Sequence, residues 1–308
     1  MLDEPRLDEP VIVGVQSLLY HTPLEGVERM LEALDNSSRI GQSEGMCTGF
    51  VVTLGDASSE RLLSEEQLEE LRARLPHIHQ LRYHFFGGNV GTSRGHNEMA
   101  QILDNPDYII FSNPDVVAEP RAIWRMLAVF KDSSVGFVEA KQLPIEHPKD
   151  YSSGTGFTSW ATTAFAMTPR DLFLELGGFD AKTFFMYCDD VDYSWRVREA
   201  GKQVVFQPAA VVFHDKYLDT DGRWMPTSAE VRFSAEAGLL IAHKWSKPGL
   251  VKSILRRFES DDASPEEKAA AAEFRARERH GNLVEQRDPQ HKIGTFAKGR
   301  YAEHRYSL

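Results

Sequence analysis

The residues of this chain best suited to chemistry are acids, grouped where apolar runs end. The densest group is Phe184-Phe185-Met186-Tyr187-Cys188-Asp189-Asp190-Val191-Asp192-Tyr193-Ser194-Trp195-Arg196, shortly after Gly177-Gly178-Phe179-Asp180. Three acids within four positions at a helix start are favoured by the helix dipole, which is a structural reason for them. Aromatic neighbours would also desolvate adjacent carboxylates and raise a pKa, as a general base requires. Asp115 closes the apolar run YIIFS (108–112) inside Asn113-Pro114-Asp115. Pro114 fixes the backbone and aims a carboxylate suited to Mg²⁺ or Mn²⁺, which prefer oxygen ligands. An ordinary turn is the competing explanation.

Other candidates carry the same two-sided reading. Asp56 follows the apolar run GFVVTL and either meets a ligand beyond the strand or caps the next element. His214 closes Val211-Val212-Phe213, as a strand end or a metal ligand. The stretch from Gly87 to Asn97, with Asn89 and Gly91, is rich in backbone donors ahead of a helix and suits phosphate. It matches neither a P-loop nor a dinucleotide fingerprint. Trp160 can stack on a sugar or pack in the core.

The elements that must hold these residues alternate. Strands are expected at 11–17, 49–54, 80–86 and 108–112, with helices between them. Thr22-Pro23-Leu24-Glu25 should open the first helix, and Ser64-Glu65-Glu66-Gln67 the second. A helix to about Lys131, a short strand at 135–138 and a surface loop over 139–160 follow. A strand at 164–168, helices at 169–176 and 189–200, and last strands at 204–206 and 211–213 complete the series. This order predicts an α/β fold with a mostly parallel central sheet flanked by helices. Such sheets bind ligands beyond the carboxyl ends of their strands, where Asp56 and Asp115 stand. From Ser228 the pattern is helical, so residues 1–227 are expected to form the main domain and 228–308 a helical C-terminal appendage. The apolar faces of 228–258 should pack on the main domain or on a second copy. After Gly281 no period is visible, and this tail is expected to be mobile and dispensable for ligand binding.

Bulk properties exclude several classes. A net charge of −11 over 308 residues argues against broad nucleic-acid binding. Two cysteines, Cys47 and Cys188, cannot form a disulfide framework or a zinc site by themselves. The start of the chain lacks an apolar signal segment, and no run reaches the roughly 18 apolar residues of a membrane span. The reading is cytoplasmic, with the inner face of the membrane as a peripheral location.

In order along the chain, these segments resemble glycosyltransferase family 2, an inverting family with the GT-A fold. The resemblance rests on Asp56, Asn89-x-Gly91 with Asn97, Asn113-Pro114-Asp115, the Gly177 to Arg196 region and His214. It implies that Asp56 contacts the nucleotide base and that Asn89, Gly91, Asn97 and Asn113 line the nucleotide-sugar pocket. It further implies that Asp115 and His214 hold Mn²⁺ or Mg²⁺ and that Asp190 is the catalytic base. Asp189 replaces the family's usual Glu and, with Trp160, falls to acceptor binding. Asn-Pro-Asp is familiar in rhamnosyltransferase-like members. The implied donor is therefore dTDP-rhamnose, with UDP-hexose or UDP-galactofuranose next. The implied acceptor is a glycan or glycolipid of a cell-surface polysaccharide or glycoconjugate. The competing classes are a metal-dependent nucleotidyltransferase or phosphohydrolase, and a non-catalytic nucleotide-sugar-binding protein.

Overall fold

The computed structural model describes residues 9–146, 150–216, 220, 226–297 and 299. Its first half is built from strand–helix units. The run β1 (Val11–Leu19) is buried over most of its length and lies between two parallel neighbours, β2 (Cys47–Asp56) and β4 (Tyr108–Ser112). The next strand, β3 (Ile78–Phe85), pairs parallel with β2. Helices α1 (Leu24–Ser43), α2 (Glu65–Arg74) and α3 (Thr92–Ile102) make the crossovers. The α1 stripe Val27, Met30, Leu31 and Leu34 is buried, as its helical spacing requires. Ser64 and Gln67 form the expected capping box on α2. Thr22 does not cap α1. Pro23 takes that position, and the Thr22 hydroxyl accepts from the Tyr20 backbone N–H instead.

The second half departs from the parallel plan. It comprises β5 (Val116–Ala118), α4 (Ala122–Val129), β6 (Val135–Leu143), β7 (Phe157–Thr158), β8 (Phe165–Pro169), α5 (Arg170–Glu175), α6 (Asp189–Glu199) and β9 (Gln203–His214). Among the described residues the strands form one sheet in the order β3-β2-β1-β4-β8-β6-β9-β5, with β7 on β9. The expected mostly parallel sheet is mixed: β8 runs antiparallel to both β4 and β6, and β5 and β7 run antiparallel to β9. Antiparallel neighbours need no helical crossover, and among the described residues no helix stands between β6 and β8. β6 also outruns its expected end, so the loop expected over 139–160 begins later. The two expected last strands are one, with a register jump between Gln207 and Val211 around Pro208, which cannot donate to a ladder.

The C-terminal part is helical: α7 (Ser228–Lys244), α8 (Pro248–Phe258) and α9 (Pro265–Arg279). Leu240, Trp245, Phe258 and Phe274 share one core cluster with Val191 and Trp195 of α6. The tail, expected to be mobile, is docked over its described residues 282–297; residues 298 and 300–308 lie outside the described residues. Leu283, Ile293 and Phe296 pack on the same cluster, with the Phe296 ring 5.1 Å from that of Trp195. Asp288 accepts from the backbone N–H groups of Lys292, Ile293 and Gly294, closing a tight loop that carries those apolar residues inward. A segment without periodicity can still fold when one carboxylate satisfies its backbone.

Beneath this cluster lies a buried ionic group. Asp192 is fully buried. It accepts from Arg196 Nε at 2.8 Å and Trp245 Nε1 at 3.0 Å, and pairs with Lys244 Nζ at 2.7 Å. Lys244 also reaches Asp180 at 2.8 Å. Removing one member of such a group leaves a buried charge uncompensated, so Lys244→Met should cost about 3–5 kcal/mol. Phe296→Ala should cost about 1–3 kcal/mol through lost burial. Both should lower the melting temperature, and an unchanged value for Phe296→Ala would refute the docking of the tail.

Candidate active site

β4 ends at Ser112, and the next residues turn sharply. The Asn113 N–H donates to Ala164 O at 2.9 Å, and its carbonyl accepts from Val116 N at 3.2 Å. Asn113 thus closes the turn with its backbone. β5 then pairs antiparallel with β9, with Val116 opposite His214. That register brings the preceding residue, Asp115, beside the imidazole, with His214 Nε2 3.2 Å from Asp115 Oδ2.

The two side chains differ in setting: His214 is buried, whereas the Asp115 side chain is 43% exposed. Buried Gln142 lies with its amide oxygen 2.7 Å from His214 Nδ1 and so orients the ring. Nε2 therefore faces the carboxylate. Two octahedral ligands about 2.1 Å from a common Mg²⁺ stand about 3 Å apart, so the pair fits a divalent ion. Among the described residues no group of three or more His, Cys, Asp or Glu could hold a metal. Two protein ligands suit an ion whose remaining positions are filled by phosphate oxygens and water.

Asp56 is engaged differently. It is fully buried at the end of β2, where its carboxylate accepts from Ser58 N at 2.9 Å, Leu62 N at 2.8 Å and the Tyr83 hydroxyl. Burial alone would raise its pKa, but these hydrogen bonds outweigh it and hold the carboxyl below the usual range. The same contact and its own burial push the Tyr83 hydroxyl up to about 12. Asp56 closes the 56–62 turn and presents no exposed atom to a nucleobase. Sequence reasoning missed Tyr83, whose signal is the alternation of β3.

The 87–97 loop is fastened to the start of α6. Gly91 (φ +75°) caps α3, and a Cβ there would lie 2.4 Å from Phe185 O. The Asn89 side chain accepts from Gly91 N at 3.1 Å, and Thr92 N donates to Phe185 O at 2.9 Å. Asn97 is turned away from this loop: its amide donates to Phe179 O and accepts from Phe179 N, both at 2.8 Å. It holds the Gly178-Phe179 turn.

α6 begins after two consecutive non-glycine residues in the left-handed region, Tyr187 (φ 68°) and Cys188 (φ 58°). Such strain persists only where the surroundings enforce it, and it clusters at functional sites. It delivers two adjacent carboxylates that are 4% (Asp189) and 9% (Asp190) exposed. Burial first, then the neighbouring Asp190, pushes Asp189 up to about 6, against hydrogen bonds from Thr92 and Ser93. The Asp190 carbonyl accepts from Ser194 Oγ at 2.7 Å, and Ser194 Oγ accepts from Ala161 N at 3.0 Å. The 161–164 segment then leads to the Asn113 contact. This path joins the head of α6 to the strand end that carries Asp115. Trp160 is buried with Phe184 and Val191 in the core, so it packs rather than stacks on a ligand.

Comparison with solved structures settles the architecture. The chain superposes on GalNAc-T7 with UDP, GalNAc and Mn²⁺ at a TM-score of 0.62, covering 90% of this chain and 56% of that one at 11% identity. With mannosyltransferase PcManGT from Pyrobaculum calidifontis, in complex with GDP-Man and Mn²⁺, the TM-score is 0.59 over 87% of this chain and 70% of that one at 14% identity. The fold is the GT-A fold of glycosyltransferases. S. aureus TarS (1–349) matches the same GT-A arrangement at 0.50, covering 86% of this chain and 71% of that one at 12% identity. In sequence, an alignment 143 positions long is 24% identical to rhamnosyltransferase WbbL of Escherichia coli (strain K12); it covers 37% of this chain and about half (54%) of that relative. No family model matches.

Within this GT-A sheet, Tyr83→Phe removes one of the three donors to Asp56. It should cost about 1.5–3 kcal/mol at pH 7 in denaturant unfolding. Because the folded pKa of Asp56 is depressed, this difference is complete above the unfolded value of about 3.9. It should vanish as pH falls through the lower folded value. A pH-independent difference would mean that the hydroxyl does not act through the Asp56 charge.

Proposed function

We propose that this protein is an inverting glycosyltransferase that moves a sugar from a nucleoside-diphosphate sugar to an acceptor hydroxyl. The observation that carries this reading is the Asp115–His214 pair, 3.2 Å apart at the carboxyl edge of a GT-A sheet. Asp190 stands on the α6 segment joined to that edge. A Mn²⁺ or Mg²⁺ held by Asp115 and His214 would act as a Lewis acid that compensates the charge of the departing diphosphate.

Asp190 supplies the other half of the chemistry. Its carboxylate takes the proton of the acceptor hydroxyl as that oxygen bonds to the anomeric carbon. The bond from this carbon to the diphosphate oxygen breaks in the same displacement, from the opposite face, and the anomeric centre inverts. The low exposure of Asp189 and Asp190 limits competing water at the base. Asn89 and Gly91, with the head of α3, line the diphosphate side, where helix N–H groups suit phosphate.

The donor assigned first is dTDP-rhamnose. It is supported by Asn113-Pro114-Asp115 and by the likeness to a rhamnosyltransferase over 143 aligned positions. UDP-hexose or UDP-galactofuranose comes next. The acceptor is a glycan or glycolipid. Residues 1–227 carry donor and acceptor sites, and the described residues of 228–297 brace α6 from behind. Among the described residues no helix is long and apolar enough to cross a membrane.

A screen of nucleotide sugars, read by nucleoside diphosphate release, tests the reading. Asp190→Asn should lower turnover by about 10²–10⁴-fold, the usual contribution of a positioned base, and leave nucleotide-sugar affinity within a few-fold. Asp115→Ala should weaken both donor binding and turnover. Chelator should abolish transfer, and Mn²⁺ or Mg²⁺ should restore it. Full transfer in chelator, or wild-type turnover in Asp190→Asn, would overturn this mechanism.

A further inference from the structure

The resemblance implies acceptor binding for Asp189, and the structure shows its carboxylate engaged with the start of α3. Its Oδ2 accepts from Thr92 Oγ1 at 2.9 Å and from Ser93 Oγ at 3.0 Å. These are the first two residues of α3, directly after the loop that carries Asn89 and Gly91. The residue is 4% exposed, and the oxygen that faces the two hydroxyls is committed to them.

Two backbone features act at the same junction. Thr92 N donates to Phe185 O at 2.9 Å, and Gly91 lies so close that an added Cβ would meet that carbonyl at 2.4 Å. The head of α3 therefore meets the segment before α6 through backbone at Phe185 and the first residue of α6 through the Asp189 carboxylate. Where the heads approach this closely, a short acid spans the gap, and an extra methylene would force them apart.

We propose that Asp189 is a positioning residue, a latch that fastens the Gly91–Thr92–Ser93 loop to the head of α6. The latch fixes the distance between the phosphate side of the site and Asp190. This role rests on the glycosyl-transfer reading for its purpose, but the latch itself belongs to the ligand-free protein. Burial makes it tight: two hydroxyls donating to one desolvated carboxylate form charge-assisted hydrogen bonds that water does not replace. It also explains why Thr92 and Ser93 both carry hydroxyls at a helix start where neither serves as the cap.

The test uses the full chain and three variants: Asp189→Ala, Asp189→Asn, and the pair Thr92→Val with Ser93→Ala. Hydrogen exchange at the amides of residues 92–96 is measured first, without ligand. Calorimetry with nucleoside diphosphate and Mn²⁺ follows, and then kcat and KM for donor and acceptor. Asp189→Ala and the hydroxyl-less pair should each speed exchange at the α3 head. Each should weaken nucleotide affinity by about 10-fold, the worth of a hydrogen bond to a charged group. Combined, they should lose little more than either alone, because they break the same contact. Asp189→Asn keeps an accepting oxygen and should retain most of the affinity. Acceptor KM at saturating donor should stay at the wild-type value throughout.

The opposite pattern overturns the latch: wild-type exchange and nucleotide affinity in the hydroxyl-less pair, with acceptor KM raised in Asp189→Ala. If Asp189→Ala does not fold, the hydroxyl-less pair still decides, since it leaves both carboxylates in place. If the wild-type chain binds no nucleoside diphosphate, the glycosyl-transfer reading fails. The exchange measurement then still supports or refutes the latch by itself.

Discussion

The position of everything on α6 depends on one buried carboxylate. Asp192 has no exposure, and Lys244, Arg196 and Trp245 surround it. Two negative groups, Asp180 and Asp192, face two positive ones, Lys244 and Arg196, so the cluster is balanced in charge. Burial raises the proton affinity of Asp180, but Lys244 overcomes this and holds its carboxyl below the usual range. Taking such charges out of water costs several kcal/mol per ion unless every partner is in place. The helix therefore has one rotational setting that satisfies its ions, and Asp190, two residues earlier, inherits it. Arg196 extends the constraint through its donation to the carbonyls of Leu176 and Gly178, on the turn that Asn97 grips from the other side.

The appendage is thus part of the site's support. Lys244 and Trp245 sit at the end of α7, and the tail covers Trp195 through Phe296. On the opposite side, the sheet does comparable work through register. β5 is only three residues long, yet its pairing with β9 is what sets Asp115 against His214. Rigid elements converge on the two ends of the site, and the strained Tyr187–Cys188 turn makes the final adjustment.

Much of this was legible in the sequence. Apolar runs such as Tyr108–Ser112, and helical stripes such as that of α1, give elements whose burial follows from their period. Asp115 and His214 were visible as polar residues closing apolar runs, but only the family resemblance paired them; the structure sets them 3.2 Å apart. What could not be read depended on partners distant in the chain. Asp56 and Asn97 have the residue types of a ligand site, and their contacts with Tyr83 and Phe179, distant in the chain, were not readable. The antiparallel strands and the docked tail depend on tertiary satisfaction of backbone groups, which leaves no local period. Asp189 is the instructive middle case. Its residue type and place suggested chemistry, and its bonds to the hydroxyls of Thr92 and Ser93, almost a hundred positions earlier, carry the proposed positioning role.

The central claim is that Asp115 and His214 form the protein's half of a metal–diphosphate site. Crystals grown with nucleoside diphosphate and Mn²⁺, with diffraction recorded at the manganese edge, test it most directly. The account predicts one anomalous peak about 2.1 Å from both an Asp115 carboxylate oxygen and His214 Nε2, with diphosphate oxygens completing the shell. A bound nucleotide whose manganese lies elsewhere, or which binds with no manganese at all, would contradict it.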